Sequence, residues 1–358
     1  MIEEKRARRN AMKGFGMTMV TMEEVAKAAH VSRATVSRVL SNHPSITMET
    51  RSNVMYWVRK LGYEPNQVAQ SLAGNRTNLI GVLFSDLSNP LYASLMTSIV
   101  HGAEIYGYNV ILGDAQREKA REASIINGFK RRKVDGIIVR PIGTPNKKLY
   151  SGIGIPMVSL FKRTEKKNII ISSEEGGIQV ARHFCELGHR NIGYIGPMRS
   201  LAGNNKLEGF RSELEKNGLK LKAVLECNQH ETVENQRVYE IISQYFKDHD
   251  PEKVTAWFAH SDIAASDVIK ALTEYGLEVP KDVIVCGYNN TLLARKMIPT
   301  LSSVASPIEE IAKSAVGMLL NGINGNMEEE LIQLSPRLII RESTSRELVR
   351  SAQIEILK

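Results

Sequence analysis

Arg33, Ala34, Ser37 and Arg38 recur at i, i+1, i+4 and i+5, a spacing that brings all four to one side of a helix. Their chemistry suits the edges of nucleobases. A guanidinium is a permanently charged planar fork whose donors match O6 and N7 of guanine, which makes Arg38 the best reader of the four. Ser32 stands just ahead of them as a natural helix N-cap, with Thr35 in the first turn.

Two short helices joined by a tight turn must position these side chains. In TMEEVAKAAHVSRATVSRVLSN, Thr21 and Glu24 have the spacing of a capping box, and Val25, Ala26 and Ala29 make an apolar stripe. The first helix should end at His30-Val31. Val36, Val39 and Leu40 follow i, i+3, i+4 spacing, so the second helix can pack on the first and leave its polar face outward. A third helix follows, capped by Thr47, striped by Val54, Trp57, Val58 and Leu61, and stopped by Gly62 and Pro65. Such an arrangement is a helix-turn-helix, in which the start of the second helix meets the major groove. Charge agrees with that reading. Twelve Lys/Arg against six Glu through Asn78 give +6 of the chain's net +8, the footprint of attraction to a phosphate backbone or to an anionic membrane surface, between which the helical organisation decides.

The remaining chain alternates β-rich runs with helical patterns: LIGVLF, YNVILGDA, VDGIIVR, IPMVSLF, RNIGYIGP, VTAWFAHS, DVIVCGYN and LSSVAS. Strand-helix-strand alternation predicts doubly wound parallel sheets. Ligands of such sheets bind beyond the carboxyl ends of the strands. No G-x-x-x-x-G-K-[ST], G-x-S-x-G or H-E-x-x-H occurs, so there is no sign of an enzyme. His189, at a helix end in ELGHRNIGYIGP, reads as structural. Neither a cofactor nor a metal is expected.

The landmarks V-A-x-x-A, V-S-x-x-T-V-S-R-V-L, L-G-Y-x-P-N and S-N-P occur in order, and with them the chain from about Thr21 to Thr344 resembles the lactose/galactose repressor (LacI/GalR) family. The resemblance implies a transcription repressor that binds a pseudo-palindromic DNA operator as a homodimer, controlled by a small-molecule effector. It implies an all-α helix-turn-helix head on an α/β core of two lobes, periplasmic-binding-protein-like, with three crossings of the chain between the lobes. In that family the residues after V-S read the major groove, which assigns that role here to Arg33, Ala34 and Arg38. The DNA-binding set expected here is Thr21, Ser32, Arg33, Ala34, Thr35, Ser37 and Arg38, with Asn66 starting a hinge helix and Leu72 as its minor-groove wedge. Effector contacts carried over one by one are Leu91, Tyr92, Arg140, Phe161, Lys206, Asp262 and Asn289.

Several positions depart from the family pattern. His30 stands where Gly or a small polar residue is common, Arg33 replaces a variable first reader, and Gln70 replaces an Arg of the hinge. Within the effector set, Phe161 takes a place often acidic, Asn289 a place often Asp, and Lys206 a place usually Arg. Acidic groups are lost and basic ones kept, which predicts an anionic effector held by Arg140 and Lys206, with Lys162 or Arg163 beside them.

The expected domains are a basic extension (1–19), the head (20–65), the hinge (66–77), the core (78–345) and a tail (346–358). Resemblance begins near Thr21, so the extension is either a basic arm or a misassigned start. The tail is too short for a tetramerising coiled coil, which leaves a dimer. No run approaches the roughly 20 apolar residues of a membrane span, so no membrane is expected as a partner. Export is not expected either, because the N-terminal segment lacks a cleavage pattern. Cys185, Cys227 and Cys286 are odd in number and widely spaced, which suits reduced thiols and a cytoplasmic protein. A stand-alone solute-binding protein would lack the basic head, an α/β enzyme would carry a catalytic fingerprint, and a protein effector in place of a metabolite would leave the same sequence.

Overall fold

The computed structural model describes residues 20–40, 43–63, 76–164, 167–198, 201–227, 237–250, 253–326 and 328–345. Residues 1–19, the hinge positions Asn66, Gln70 and Leu72, and the tail 346–358 lie outside the described residues. The chain divides into two compact units, Met1–Thr77 and Asn78–Lys358.

In the first unit the expected helices are α1 (Met22–Ala28), α2 (Arg33–Leu40) and α3 (Met48–Leu61). Thr21 closes a capping box: its backbone N–H donates to the Glu24 carboxylate at 2.7 Å, and the Glu24 N–H donates to its hydroxyl at 3.3 Å. Val25, Val36, Val39, Val54, Val58 and Tyr63 meet in the core. Two polar side chains of α3 add what the periodicity did not reveal. Arg51 donates to the carbonyls of Val39 and His43 at 3.3 and 3.1 Å, and Asn53 donates to that of Ala29 at 2.9 Å. Each thereby satisfies acceptors left open at or just beyond a helix end. The turn holds His30 at φ 53°, a left-handed conformation that glycine adopts without a Cβ penalty, which explains why a Gly suits this position. Thr21→Ala should cost about 1 kcal/mol of stability. A change below a few tenths in thermal unfolding would show that the box carries no weight.

The second unit holds two six-stranded sheets. The first sheet collects β1 (Leu79–Phe84), β2 (Asn109–Asp114), β3 (Gly136–Val139), β4 (Met157–Leu160) and β5 (Lys167–Ile171), interleaved with α4 (Pro90–Glu104), α5 (Lys119–Arg131) and α6 (Lys147–Ser151). The second collects β6 (Ile192–Gly196), β7 (Ala223–Glu226), β8 (Ala256–Ala259), β9 (Ile284–Asn289) and β10 (Ser302–Ala305). Its helices are α7 (Ser173–Glu186), α8 (Leu201–Lys216), α9 (Arg237–Asp248), α10 (Asp262–Glu274) and α11 (Leu292–Lys296). The chain then returns: α12 (Ile308–Ile323) packs on the first sheet, β11 (Leu331–Leu334) joins it, and β12 (Arg337–Ile339) joins the second. Three crossings therefore connect the lobes.

Orders β11-β5-β4-β3-β1-β2 and β12-β10-β9-β8-β6-β7 make two doubly wound sheets. All pairings are parallel except β10 with β12, where Ser303 faces Ile339 in antiparallel register at an edge. Both faces of each sheet are covered, since alternate strand residues point to opposite sides. Ile80, Val82 and Phe84 pack under α4 and α12, while Leu83 packs with Ile126 and Phe129 of α5. Trp257 and Val285 lie with α9 and α10, and Tyr194, Phe258 and Tyr288 with α7 and α8. His189 bonds the Thr255 hydroxyl at 2.9 Å, a packing role. The three cysteines are free thiols. No described helix is long and apolar enough to cross a membrane.

Candidate functional site: the interlobe cleft and the recognition helix

A cavity of about 230 Å³ opens where the strands of both sheets end. Residues just past their carboxyl ends line it: Ser85 and Asp86 after β1, Arg117 after β2, Arg140 after β3, Phe161 after β4, and Pro197 after β6. Such ends converge because parallel strands of one sheet all point the same way. Three lining residues, Arg117, Phe161 and Asn289, have φ of 61°, 63° and 93°. For a bulky residue like Phe161 this is a strained conformation.

Six of the seven residues carried over from the sequence line this cavity: Leu91, Tyr92, Arg140, Phe161, Lys206 and Asn289. The apolar wall is aromatic and layered, with Phe84 stacked on Tyr92 (5.0 Å, 8°) and Tyr92 on Phe161 (6.4 Å, 26°). Asp262 is set apart. It faces a smaller neighbouring cavity, is 1% exposed, and its carboxylate accepts from the Ser303 hydroxyl and from the N–H and hydroxyl of Thr291. Its oxygens therefore tie β10 to the turn that follows Asn289. Lys162 and Arg163 do not line the cavity. The Lys162 ammonium donates to the Gly143 carbonyl, and burial with the nearby charge of Arg140 lowers its pKa to about 8.

Sequence reasoning missed Asp86 and Arg117, which pair on one wall of the cavity at 2.6 Å. The available signal was position alone: Asp86 lies two residues past the first strand run and Arg117 two residues past the second. It also missed Glu122, 3% exposed, which accepts from the Tyr150 hydroxyl at 2.7 Å and the Ile142 N–H at 2.8 Å and so braces the loop after Arg140. The Nε of Arg140 is buried without a hydrogen-bond partner among the described residues. A buried unpaired guanidinium donor costs free energy that an acceptor in the cavity would recover.

Lys206 reaches the cavity from α8, and glycines set its depth. A Cβ on Gly177 of α7 would lie 2.2 Å from the Lys206 carbonyl oxygen, and one on Gly209 would lie 2.1 Å from that of Glu174. Only hydrogen fits at either place, so the two helix backbones approach closely. The Lys206 ammonium then rests 3.6 Å from the centre of the Tyr288 ring and donates to the His260 carbonyl at 3.1 Å. Burial lowers its pKa to about 7, against a smaller opposing pull from Asp262.

On the head, Ser32 accepts from the Thr35 N–H at 3.1 Å, which starts α2. Arg33, Ala34, Ser37 and Arg38 are all exposed, and Thr35 is half-buried. One continuous polar face results.

A family model described as bacterial regulatory proteins, lacI family, matches residues 21–66, and one described as a periplasmic binding protein-like domain matches residues 181–344. The HTH-type transcriptional regulator DegA of Bacillus subtilis (strain 168) is 32% identical over 91% of this chain and 98% of its own. The chain belongs to the LacI family. Another relative, the HTH-type transcriptional repressor PurR of Shigella dysenteriae serotype 1 (strain Sd197), is 32% identical over 91% of this chain and 97% of its own. Among solved structures, the lac repressor dimer bound to operator and the anti-inducer ONPF is similar at a TM-score of 0.78 and 26% identity, over 91% of this chain and 99% of that one. The transcriptional regulator CelR–cellobiose complex is similar at 0.67 and 26%, over 90% and 99%. This LacI-family chain is thus a DNA-binding transcription regulator with an effector-binding domain, and the relatives named are regulators, not enzymes.

Proposed function

We propose that this regulator is a repressor that binds a pseudo-palindromic operator as a homodimer and is controlled by a small anion in the interlobe cleft. The observation that carries the anionic reading is the buried, unpartnered Nε of Arg140 in the cavity that Lys206 enters from the other lobe, with a Lys206 amine that pairs with no carboxylate among the described residues. Charge-assisted bonds to a carboxylate, sulfate or phosphate are about twice as strong as neutral ones. Leu91, Tyr92, Phe161 and Asn289 would complete the pocket, with Asp262 holding its floor. Arg33, Ala34, Ser37 and Arg38 would read bases, Thr21, Ser32 and Thr35 would hold the recognition helix against the duplex, and Asn66 and Leu72 would act in the hinge. The division into extension (1–19), head (20–65), hinge (66–77), core (78–345) and tail (346–358) belongs to the same reading.

The homodimer rests on family membership, since the lac repressor to which the chain is similar was solved as a dimer on its operator. Two-fold symmetry of the protein would map onto two-fold symmetry of the site. Its place of action would be the cytoplasm, where duplex DNA and free thiols coexist.

A thermal-shift screen of anionic and neutral metabolites tests the cleft. An anion at a hundredfold excess over its Kd should add about 2.7 kcal/mol, and Arg140→Gln with Lys206→Met should abolish the shift while ligand-free operator binding stays. Hits confined to neutral sugars and unchanged by the double substitution would reject the anionic reading. Selection of bound duplexes from a random pool tests the rest, and recovery of asymmetric sites bound by monomers would reject the dimer.

A further inference from the structure

The cleft's two basic groups from opposite lobes differ in kind. Arg140 carries a permanent charge. Lys206 carries an amine that can lose its proton, and its surroundings leave that choice open. It is half-buried, its partners are a carbonyl and an aromatic face, and no carboxylate among the described residues pairs with it. Both partners favour the ammonium, while desolvation without a counter-charge opposes it.

The groups around it do not supply that counter-charge. From just past β8 comes His260, kept neutral by burial with its pKa pushed down to about 3, and from the start of α10 comes Asp262, whose carboxylate is spent on Ser303 and Thr291. Tyr194 of β6 and Tyr288 of β9 are phenols whose pKa values burial raises, so both stay neutral. On α7, Glu174 packs through its backbone against Gly209, and Glu175 interacts with Tyr288. Across the cavity Asp86 pairs with Arg117, and Arg140 adds a like charge.

We infer that Lys206 is a titratable specificity determinant: a small anion enters the cleft together with one proton, which the Lys206 amine takes up to become the ammonium that holds it. This rests on the anionic reading of the cleft. The step balances as R–NH2 + H⁺ + A⁻ giving R–NH3⁺·A⁻, with solvent as the proton source. An anion supplies the missing counter-charge and so favours the ammonium. A neutral ligand would not draw the proton. The amine's pKa of about 7 in the empty cleft places the transition in the neutral range.

The test uses the full chain with sulfate and oxalate, whose charges are constant from about pH 6.5 to about pH 9, at fixed ionic strength. Phosphate is unsuitable because it titrates in this window. Wild-type affinity should fall as pH rises, approaching tenfold per unit, because one proton is linked to binding. Calorimetry in two buffers of different ionisation enthalpy should count about one proton taken up per anion at about pH 8. Lys206→Arg should bind at every pH with no proton uptake, since the guanidinium is already charged. Affinity that is flat in the wild type overturns the inference and leaves the anionic cleft standing. Persistence of the pH dependence in Lys206→Arg, with its loss in Lys162→Arg, overturns it in favour of Lys162, the other amine depressed into this range. Failure of every anion to bind at any pH removes both the inference and the reading beneath it.

Discussion

Gly209→Val and Gly177→Val should each destabilise the core by about 3 kcal/mol, the upper part of the range for overpacking. The obstacles are backbone atoms, the carbonyls of Glu174 and Lys206, which cannot rotate aside as a side chain can. Relief requires α7 and α8 to separate, and separation draws Lys206 away from Tyr288 and His260. Variants that still fold should therefore lose anion binding as well. Gly317 of α12 is the control: a Cβ there meets nothing within 4 Å, so Gly317→Ala should gain about 0.5–1 kcal/mol. Denaturant unfolding measures all three. Glycine variants on α7 and α8 that unfold within half a kilocalorie of the parent would show that the helices do not depend on this contact.

Arg38→Ala should weaken binding to the selected operator by about 1–3 kcal/mol, roughly five- to 150-fold, and relax preference at one base pair per half-site. Arg33→Ala should act at a neighbouring position. Both side chains are exposed while Val36 and Val39 of the same helix are buried, so the core of the head should survive both substitutions. Titration against specific and random duplexes separates readout from charge. An equal loss on both would make Arg38 a phosphate contact, with a shallower salt dependence as its signature.

Much of the fold is legible because it rests on local periodicity. All eight strand runs named from the sequence contain strands, and Thr21, Ser32, Thr47 and Gly62 bound the head helices as expected. Of the overlooked strands β5, β7, β11 and β12, the last three lie at sheet edges and are partly exposed, so they lack the unbroken apolar run that marks the buried strands. Arg51 and Asn53 went unnoticed as caps because they serve ends of other helices, a relation set by packing.

The cleft divides in the same way. Position after a strand run, together with family resemblance, was enough to name six residues that line one cavity. It could not distinguish Asp262, because whether a carboxylate points to a ligand or to Ser303 and Thr291 depends on a turn brought against β10 by the sheet. Nor could it find Asp86 with Arg117, whose pairing needs two strand ends side by side.

Legible without the fold is the class of protein: a basic helix-turn-helix with two arginines on one helix face, attached to a doubly wound core. Spacing and residue type fix such features, since both act within a few residues. The electrostatic character of the site depends instead on contacts between distant segments. Lysine at position 206 reads as one more positive charge in the sequence, but glycine-tight packing of α7 on α8 buries its amine against Tyr288 without a carboxylate. Desolvation by distant parts of the chain then makes that charge conditional on pH and on what enters the cleft.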